Sequence, residues 1–487
     1  MHYIPTADRQ QFTFLQSLDD LVSAEHPVRI IDEIVESIIA ANPEGFSIKG
    51  QSNVGRRAYS PNTMLKLYIY GYINGISSSR KLETETHRNI ELIWLLGDLR
   101  PDFKTIADYR KDNGEQIKRL TIKFREFLRD RGFIKGKRVA VDGTKVKAYT
   151  NRDMITMEKI ERRINTINNN IEDYLQRLME NDLKEDLMEQ FGGEDGSEIN
   201  QELVDKIAEL EERVRELEEQ KKYLEDNARE RMSPADPDAE LMLSRDGKIP
   251  SYNVQLMVDD EHKLIAGTLV TTAPNDSDQL VASLETLEEE LAITPEEILA
   301  DKGYGNFTAI EEVEGNEKTS CYIPIIKNHY AQDAIRFRHD KSRDEYKCSE
   351  GGRLVLRSRN KVKRGQIYDV YQGIECDKCR LREKCTSSPR GRILHRAQNE
   401  SWRQAYLGKL KSPRGKANIN RRKCLVEHPI GTLRYWMGKI PLLLRGKVKV
   451  AIEIDIYATA YNLKRLINIE SHHKLRESIR EYGWSLS

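Results

Sequence analysis

The sequence predicts an α/β core behind an all-helical N-terminal region. Two short apolar segments carry the prediction: residues 139–141 and 298–300 are each followed at once by an aspartate and, within two more residues, by a glycine. An apolar run that stops at such turn residues is typical of a buried strand whose last side chain reaches the edge of a sheet. The segments therefore present Asp142 and Asp301 as paired candidates, although an aspartate after a strand is more often a turn residue.

The first 130 residues show apolar side chains at helical spacing. Ser60 followed by Pro61 predicts a helix start, because proline suits the first turn. We expect a helix from about residue 77 through Trp94 and another over residues 108–127. Short helices joined by polar turns fit a helix-turn-helix-like DNA-binding module or a plain bundle, and the spacing alone favours neither.

Residues 153–230 carry two heptad series with glycines between them. Steps of three and four predict an antiparallel coiled-coil hairpin inserted after the first strand. The hairpin is either a solvated acidic insertion or a dimerisation or spacing arm. The apolar positions are Ile160, Ile164, Ile167, Ile171, Tyr174 and Leu178, then Leu203, Ile207, Leu210, Val214 and Leu217.

Strand character returns over residues 252–258 and 264–272, followed by an amphipathic helix over 279–291 and the strand that leads to Asp301. The order of elements is thus strand, insertion, strand, strand, helix, strand. A third acid, Glu427, follows in a very basic context, and Pro429 two residues later predicts a helix start near it. Strand-end acids with a later acid among cations suit two-metal phosphoryl transfer, in which carboxylates hold the ions and cations hold phosphates.

Four of the six cysteines form two groups that could enclose one tetrahedral zinc. The alternative is buried free thiols in a reducing compartment. Arginines and lysines over residues 353–364 make a basic ribbon suited to phosphate contacts. The four cysteines are Cys348, Cys376, Cys379 and Cys385, whereas Cys321 and Cys424 stand apart.

Composition restricts the possible classes of function but does not identify one. The 487 residues contain 79 basic and 79 acidic side chains, a formal net charge of zero, but residues 331–450 carry about +20 and residues 151–230 about −12. This asymmetry favours a polyanionic partner. Six cysteines do not make a secreted disulfide framework, and no apolar run reaches bilayer length, so we expect a cytoplasmic protein with no membrane partner.

Three segments, in order, carry a family resemblance: AVDGTKVKA from Ala140, ILADKGYGN from Ile298 and VEHPIGTLRYWMG from Val426. They resemble the acidic blocks of DDE transposases from bacterial insertion sequences. The similarity continues in DPDAELM, PSYNVQLMVD, APNDSDQL and RGKVKV…AYNLKRL, and so covers nearly the whole chain.

The resemblance implies a ribonuclease-H-like core, a mixed sheet flanked by helices, that places Asp142 and Asp301 on neighbouring central strands and Glu427 on a later helix. These acids would be catalytic and would bind two Mg²⁺ or Mn²⁺ ions per active site. The partners implied are double-stranded DNA, namely terminal inverted repeats and target DNA, and a second copy of the chain when DNA is bound. Family members often place tyrosine, arginine and lysine around the glutamate; this chain has Asn420, Lys423 and Arg434. The expected DNA contacts are Lys302, Lys423, Arg434, Arg421, Arg422 and Arg445.

The predicted organisation is a helical DNA-binding domain over residues 1–130 and a core over 137–152 and 231–330. The coiled-coil insertion takes residues 153–230 and a basic cysteine-rich insertion takes 331–400. Core helices bearing Glu427 follow over 401–470, with a tail over 471–487. Two alternatives remain: a catalytically silent DNA-binding protein derived from a transposase, and a zinc and coiled-coil scaffold, which leaves the basic region unexplained.

Overall fold

A computed structural model describes residues 17–47, 58–189, 197–244, 247–325, 337–363, 366–436 and 441–484. The predicted helical region is confirmed over its described part, 17–47 and 58–130. There the chain forms α1 (Val28–Ala41), α2 (Pro61–Ile73), α3 (Ser79–Arg88), α4 (Ile90–Leu95), α5 (Phe103–Asp112) and α6 (Gly114–Asp130). Ser60 caps α2 as predicted by accepting a hydrogen bond from Thr63 N at 3.2 Å.

Both longer helices expected in this region are wrong, because each is interrupted. The Asn89 side chain accepts hydrogen bonds from the N–H groups of Glu91 and Leu92, which ends α3 and starts α4. Asn113 separates α5 from α6, and its side-chain amide donates to the Tyr109 carbonyl of α5 at 3.1 Å instead of capping α6. Asparagine competes with helical hydrogen bonding, a local effect that apolar spacing does not reveal.

The core sheet is built from β1 (Arg138–Lys147), β4 (Glu240–Ser244), β5 (Gly247–Asp259), β6 (Ile265–Thr271), β7 (Glu297–Ala300) and β8 (Ser320–Tyr322), with helices α9 (Gln279–Leu291) and α10 (Phe307–Glu314) between its strands. Its order is β4-β5-β1-β7-β8, and β6 also pairs with β5. β1 is antiparallel to β5 and parallel to β7. The predicted neighbouring strands are therefore confirmed, within a mixed sheet flanked by helices.

β1 is longer than its sequence indicates. It does not stop at Gly143 but continues to Lys147, paired with β5 alone. Its pairing with β7 ends at Val141. Thirteen residues of β5 provide a template for the extra residues, so Asp142 lies inside one strand at the point where its other neighbour ends.

The inserted hairpin consists of α7 (Met157–Glu189) and α8 (Ser197–Asp226), beside a small ribbon of β2 (Ile155–Thr156) and β3 (Arg231–Met232). Lys221 pairs with Glu161 at 2.8 Å, so the start of α7 lies beside the end of α8 and the helices are antiparallel. The described residues of the two heptad series are buried or half-buried. An oligomeric role for the hairpin stays a prediction.

A second sheet was not foreseen in the basic cysteine-rich segment. Its strands are β9 (Phe337–Asp340), β10 (Glu345–Cys348), β11 (Arg353–Lys363), β12 (Gln366–Gly373) and β13 (Ile393–Ala397), with the short helix α11 (Arg382–Cys385) before β13. The five strands pair in the order β13-β12-β11-β10-β9. The chain then continues into α12 (Glu400–Lys411), α13 (Pro413–Gly431), α14 (Lys447–Ile469) and α15 (His472–Glu481).

The N-terminal helices and the sheet share one hydrophobic core. Arg125 of α6, 1 % exposed, pairs with Glu290 of α9 at 3.0 Å and with Asp455 of α14 at 3.1 Å. A buried cation matched by two carboxylates is costly to break, so this contact fixes α6 against the core. None of the helices in the described part of the chain has the length and apolarity that a bilayer crossing requires.

Candidate active site

Two aspartates meet where β1 and β7 stop pairing. The parallel register ends with Val141 opposite Ala300, and Asp142 and Asp301 are the next residues of the two strands. Adjacent parallel strands present their following residues at the same edge of a sheet. This edge, formed by Asp142 and Asp301 beyond the end of β7, is called the acidic edge below.

Asp142 is 21 % exposed and contacts one cation. Nη1 of Arg422, on α13, lies 3.3 Å from Oδ2 of Asp142, and the Gly143 N–H donates to Oδ1 at 3.1 Å. Burial raises the pKa of Asp142 to about 6; Arg422 opposes the rise, and the charges of Asp301 and Asp276 add to it. Carboxylates crowded in this way are typical of functional sites.

Asp301 begins a 3₁₀ turn over Lys302–Tyr304. Its Oδ1 accepts the Gly303 N–H at 2.6 Å, which fixes the carboxylate at the strand end. Tyr304 is buried, and its hydroxyl donates to Oε1 of Gln255 on β5. The turn is thus attached to the sheet while the neighbouring Lys302 side chain stays exposed.

Another acid, Asp276, lies beside this edge. It is not among the site residues that the sequence predicts. It follows β6 in the loop before α9. Its Oδ1 accepts hydrogen bonds from Asn253 at 2.6 Å, Gln255 at 2.9 Å and Lys145 at 3.3 Å. Asp276 belongs to the APNDSDQL segment. Its position between a core strand and the next helix is the sequence feature that could have identified it.

Glu427 is not brought to Asp142 by any described contact. The helix start predicted near it is wrong, because α13 begins at Pro413 and Glu427 lies near its C-terminal end. Five residues of α-helix separate it from Arg422, a rise of about 7.5 Å and a rotation of about 140°. Its side chain is exposed, whereas Arg422 faces the sheet.

Across residues 17–47, 58–189, 197–244, 247–325, 337–363, 366–436 and 441–484, no group of three or more His, Cys, Asp or Glu side chains is close enough to hold a metal ion. This holds for the predicted acidic set and for the four cysteines. A third oxygen ligand at the acidic edge therefore requires a side-chain or helix movement when an ion binds.

Two of the predicted DNA-contacting cations lie on the face of β1 that carries Asp142. Arg422 contacts Asp142 itself, and Arg434 donates to the Thr144 hydroxyl two residues further along β1. Arg434 lies in a π-helical segment, Thr432–Trp436, that continues α13.

The remaining predicted cations are distributed around this face. Arg421 pairs with Asp260, and Nε of Arg445 donates to the Tyr149 carbonyl at 3.2 Å. Lys302 and Lys423 are exposed. His428 shares a hydrogen bond of 2.9 Å between its Nδ1 and the Tyr461 hydroxyl.

A basic pocket of about 950 Å³ opens beyond the end of β1. Two of its aromatic side chains, Tyr149 and Tyr435, are 51 % and 77 % exposed, and the Arg445 guanidinium lies 5.1 Å from the Tyr149 ring centroid. Cations beside exposed aromatic rings suit a nucleic-acid strand, whose phosphates bind cations and whose bases stack. The cations that line it are Lys145, Lys147, Arg152, Arg434 and Arg445.

The four predicted zinc cysteines line a second cavity, of about 560 Å³, which we call the cysteine cavity. The Arg392 N–H donates to Cys376 Sγ at 3.4 Å. Burial raises the pKa of Cys385, Arg392 opposes the rise, and the other three thiols add to it. The four cysteines therefore line one cavity, and zinc binding there stays a prediction.

Two carboxylates where adjacent strands of a mixed sheet stop pairing, with a basic pocket nearby, are an arrangement typical of proteins that act on phosphate-bearing substrates. Comparison with known families is more specific. Residues 16–112 match a transposase domain family (DUF772), and residues 347–467 match a transposase DDE domain family (DDE_Tnp_1_6). Both matches confirm the resemblance to DDE-type transposases that the three acidic segments indicate.

One solved structure that resembles the chain is described as a cryo-EM structure of the piggyBac transposase synaptic complex with hairpin DNA. It is 8 % identical, the alignment covers 94 % of this chain and 85 % of the other, and the TM-score is 0.27. No curated protein matches the chain. Asp142, Asp276 and Asp301 all lie between the two family-matched regions.

Proposed function

We propose that this protein is the DNA transposase of an insertion sequence, which cuts DNA at the ends of its element and joins those ends to target DNA. The observation that carries the proposal is the position of Asp142 and Asp301 at the point where the parallel pairing of β1 and β7 ends, in a chain with two transposase family matches.

The core is proposed to be ribonuclease-H-like. In support, β1, β5 and β6 form an antiparallel group, and β7 and β8 continue the sheet parallel to β1 on its other side. The connection from β6 to β7 passes through α9. This is the order that the family resemblance implies.

The donor set at the acidic edge suits a hard divalent cation, because its oxygen atoms stand on strands of a buried sheet. A bound pair of Mg²⁺ or Mn²⁺ ions supplies a lowered pKa for the attacking water or 3′-hydroxyl and stabilises the leaving oxygen. Asp142 and Asp301 would hold these ions. At neutral pH the Asp142 carboxyl, with a pKa of about 6, is mostly ionised and ready to bind.

The basic residues near Asp142 are proposed to position the DNA strand. Arg422 neutralises Asp142 in the metal-free protein and is placed to turn toward a phosphate once a cation replaces it. Arg434, bonded to Thr144, and the basic pocket beyond it would hold the next phosphates along the strand. Such positioning supplies much of the barrier reduction without a covalent intermediate.

Glu427 is the third catalytic carboxylate that the sequence predicts. Because it lies on the exposed side of α13, it can join the acidic edge only if the C-terminal part of α13 turns when DNA binds. Pro429 and the π-helical segment that follows interrupt regular hydrogen bonding there, which makes such a turn less costly.

DNA partners and assembly follow from the same proposal. The partners are double-stranded DNA carrying terminal inverted repeats and target DNA, and the N-terminal helices would recognise the element ends. Pairing of two ends requires at least two copies of the chain. The α7–α8 hairpin is the proposed dimerisation or spacing arm, and the cytoplasm of a bacterial cell, at the nucleoid, is the proposed location.

One structural Zn²⁺ is proposed in the cysteine cavity. Four thiols are the donor set that zinc prefers, and the Arg392 N–H directed at Cys376 is the kind of hydrogen bond that stabilises a thiolate ligand. The four side chains would have to draw closer around the ion, and the turns that carry Cys348 and Cys376 lie beside glycines 352 and 373.

Strand transfer on DNA carrying the inverted repeats beside the coding region tests the function. We expect joined products with Mg²⁺ and none with Ca²⁺, and a fall of at least about 100-fold in Asp301→Asn, the size typical of losing an essential electrostatic group. Asp278→Asn is the matched control, because this exposed acid only accepts a hydrogen bond from Asn306 at 3.0 Å.

Two results would contradict the proposal. Equal activity of Asp301→Asn and wild type means that the carboxylate does not hold the ion. Specific binding of the repeats without cleavage in Mg²⁺ or Mn²⁺ favours the alternative, a catalytically silent DNA-binding protein.

A further inference from the structure

Asp276 belongs to a loop, but its carboxylate lies close to the residues of the acidic edge. A Cβ atom added to Gly143 would lie 2.5 Å from Asp276 Oδ1. One added to Gly303 would lie 2.7 Å from Asp301 Oδ1 and 3.6 Å from Asp276 Oδ2. The residues that follow Asp142 and Asp301, namely Gly143 and Gly303, thus have no side chain at the place that the Asp276 carboxylate approaches.

The three carboxylates reach the edge from different directions. In the β1–β5 register Asp142 is opposite Leu256, whereas Gly143 is opposite Gln255 and Lys145 is opposite Asn253. Alternate residues of a strand point to opposite faces, so the amides that bind Asp276 belong to the face opposite Asp142. A cation beyond the end of β7 would have Asp142 on one face, Asp276 on the other and Asp301 beside it.

The hydrogen bonds described for Asp276 all end on one of its two carboxylate oxygens. The three donors from Asn253, Gln255 and Lys145 all bind Oδ1, and Oδ2 is the oxygen nearer to Gly303 and Asp301. Fixing one oxygen of a carboxylate through neighbouring amides is a common way to orient the other toward a metal.

Asn253 adds a separate sign that a ligand is missing. Its side chain is completely buried beside the cluster, and its Nδ2 donates to Asp276 Oδ1 at 2.6 Å. Its Oδ1 has no hydrogen-bond partner in the described part of the chain. A buried acceptor without a partner is rare and costly, and an ion with bound water would supply one.

We infer that Asp276 is a further metal ligand of the acidic edge, an oxygen donor to a divalent cation shared with Asp142 and Asp301. Because no three acids of the described residues already stand close enough to hold an ion, the three carboxylates would draw together when the cation binds. The inference rests on the proposed function, because it adds a residue to the same metal centre. It makes Asp276 a catalytic residue in addition to the predicted set.

Mn²⁺ binding to the full chain, followed by electron paramagnetic resonance, tests the assignment. Asp276→Asn keeps an acceptor for Asn253 and Gln255 but loses the charge, and we expect it to weaken Mn²⁺ affinity at least tenfold. Asp278→Asn, the same change two residues away, should bind like wild type. Without metal, Asp276→Asn removes one of three crowded negative charges but also the ion pair with Lys145, so it should melt close to wild type.

The outcomes separate this inference from the proposed function. Loss of Mn²⁺ binding in Asp142→Asn and Asp301→Asn, with normal binding in Asp276→Asn, overturns the inference alone. Normal binding in all three variants overturns the metal centre, and the inference with it.

A measurement on the wild-type chain covers the case in which Asp276→Asn does not fold. Fe²⁺ with ascorbate cuts a backbone near the bound ion. We expect cuts beside residues 142 and 301 and also within residues 272–278. Cuts at the first two positions without one in the loop would overturn the inference.

Discussion

The acidic edge and the cysteine cavity are two candidate metal centres built in different ways. Asp142 and Asp301 follow residues that are at most 1 % exposed, Val141 and Ala300, in the main hydrophobic core. The cysteines of the cavity are only partly buried and stand at turns of a smaller sheet. The first centre is positioned by strand pairing, and the second by short turns.

The difference predicts what each ion does. The core sheet has its own buried residues, so an ion at the acidic edge would serve chemistry and not folding. The described part of the smaller sheet buries few large apolar side chains, among them Leu354 and Tyr371. Small units with little core are commonly stabilised by a structural metal.

The largest expected effect is on the smaller sheet. Cys376→Ser should reduce bound zinc from about one ion per chain to nearly none. Because metal binding and folding are linked in such units, amide protection in β9–β13 should fall by more than about tenfold, while protection in β1 and β7 stays unchanged. Elemental analysis and hydrogen exchange measure the two quantities.

Cys424→Ser is the matched control for this experiment, since Cys424 is an exposed thiol on α13. It should keep both the zinc and the protection. Wild-type protein that is purified without zinc and retains the same protection would contradict a structural metal in the cavity.

A smaller effect is expected at the acidic edge as pH changes. Burial raises the pKa of Asp142 to about 6, above about 3.9 in an unfolded chain. Between these values the folded state binds a proton that the unfolded state has released, so the free energy of unfolding falls as pH rises. From pH 4 to pH 7 the metal-free wild type should lose about 1–3 kcal/mol more than Asp142→Asn.

Urea denaturation of both proteins at the two pH values gives this difference. Other buried acids with raised pKa values, such as Glu453 and Asp455, contribute equally to both and cancel. The same pH dependence in wild type and Asp142→Asn would show that the Asp142 carboxyl is not perturbed by its surroundings.

The sequence predicts the acidic edge well because its signals are local. An apolar run followed by aspartate and glycine indicates both strands and the end of β7, although β1 continues to Lys147. The helix over residues 279–291 appears in the structure as α9. The meeting of Asp142 and Asp301 then depends on strand order, which came from the family resemblance.

The parts that could not be predicted depend on contacts between distant segments. In the sequence, Asp276 does not differ from other acids in loops. The hydrogen bonds from Asn253 and Gln255 that fix it are visible only in the structure. The face of α13 on which Glu427 lies depends on where that helix begins, and Pro429 suggested a start that Pro413 in fact provides. The smaller sheet was hidden because its strands are rich in charged residues.

The central claim is that Asp142 and Asp301 hold one divalent cation between them. Anomalous diffraction from a crystal of the full chain grown with Mn²⁺ tests it most directly. The account predicts an anomalous peak within about 2.5 Å of carboxylate oxygens of both residues, as oxygen ligation of such ions requires. An ordered acidic edge with no peak at saturating Mn²⁺, or a peak bound by neither aspartate, would contradict it.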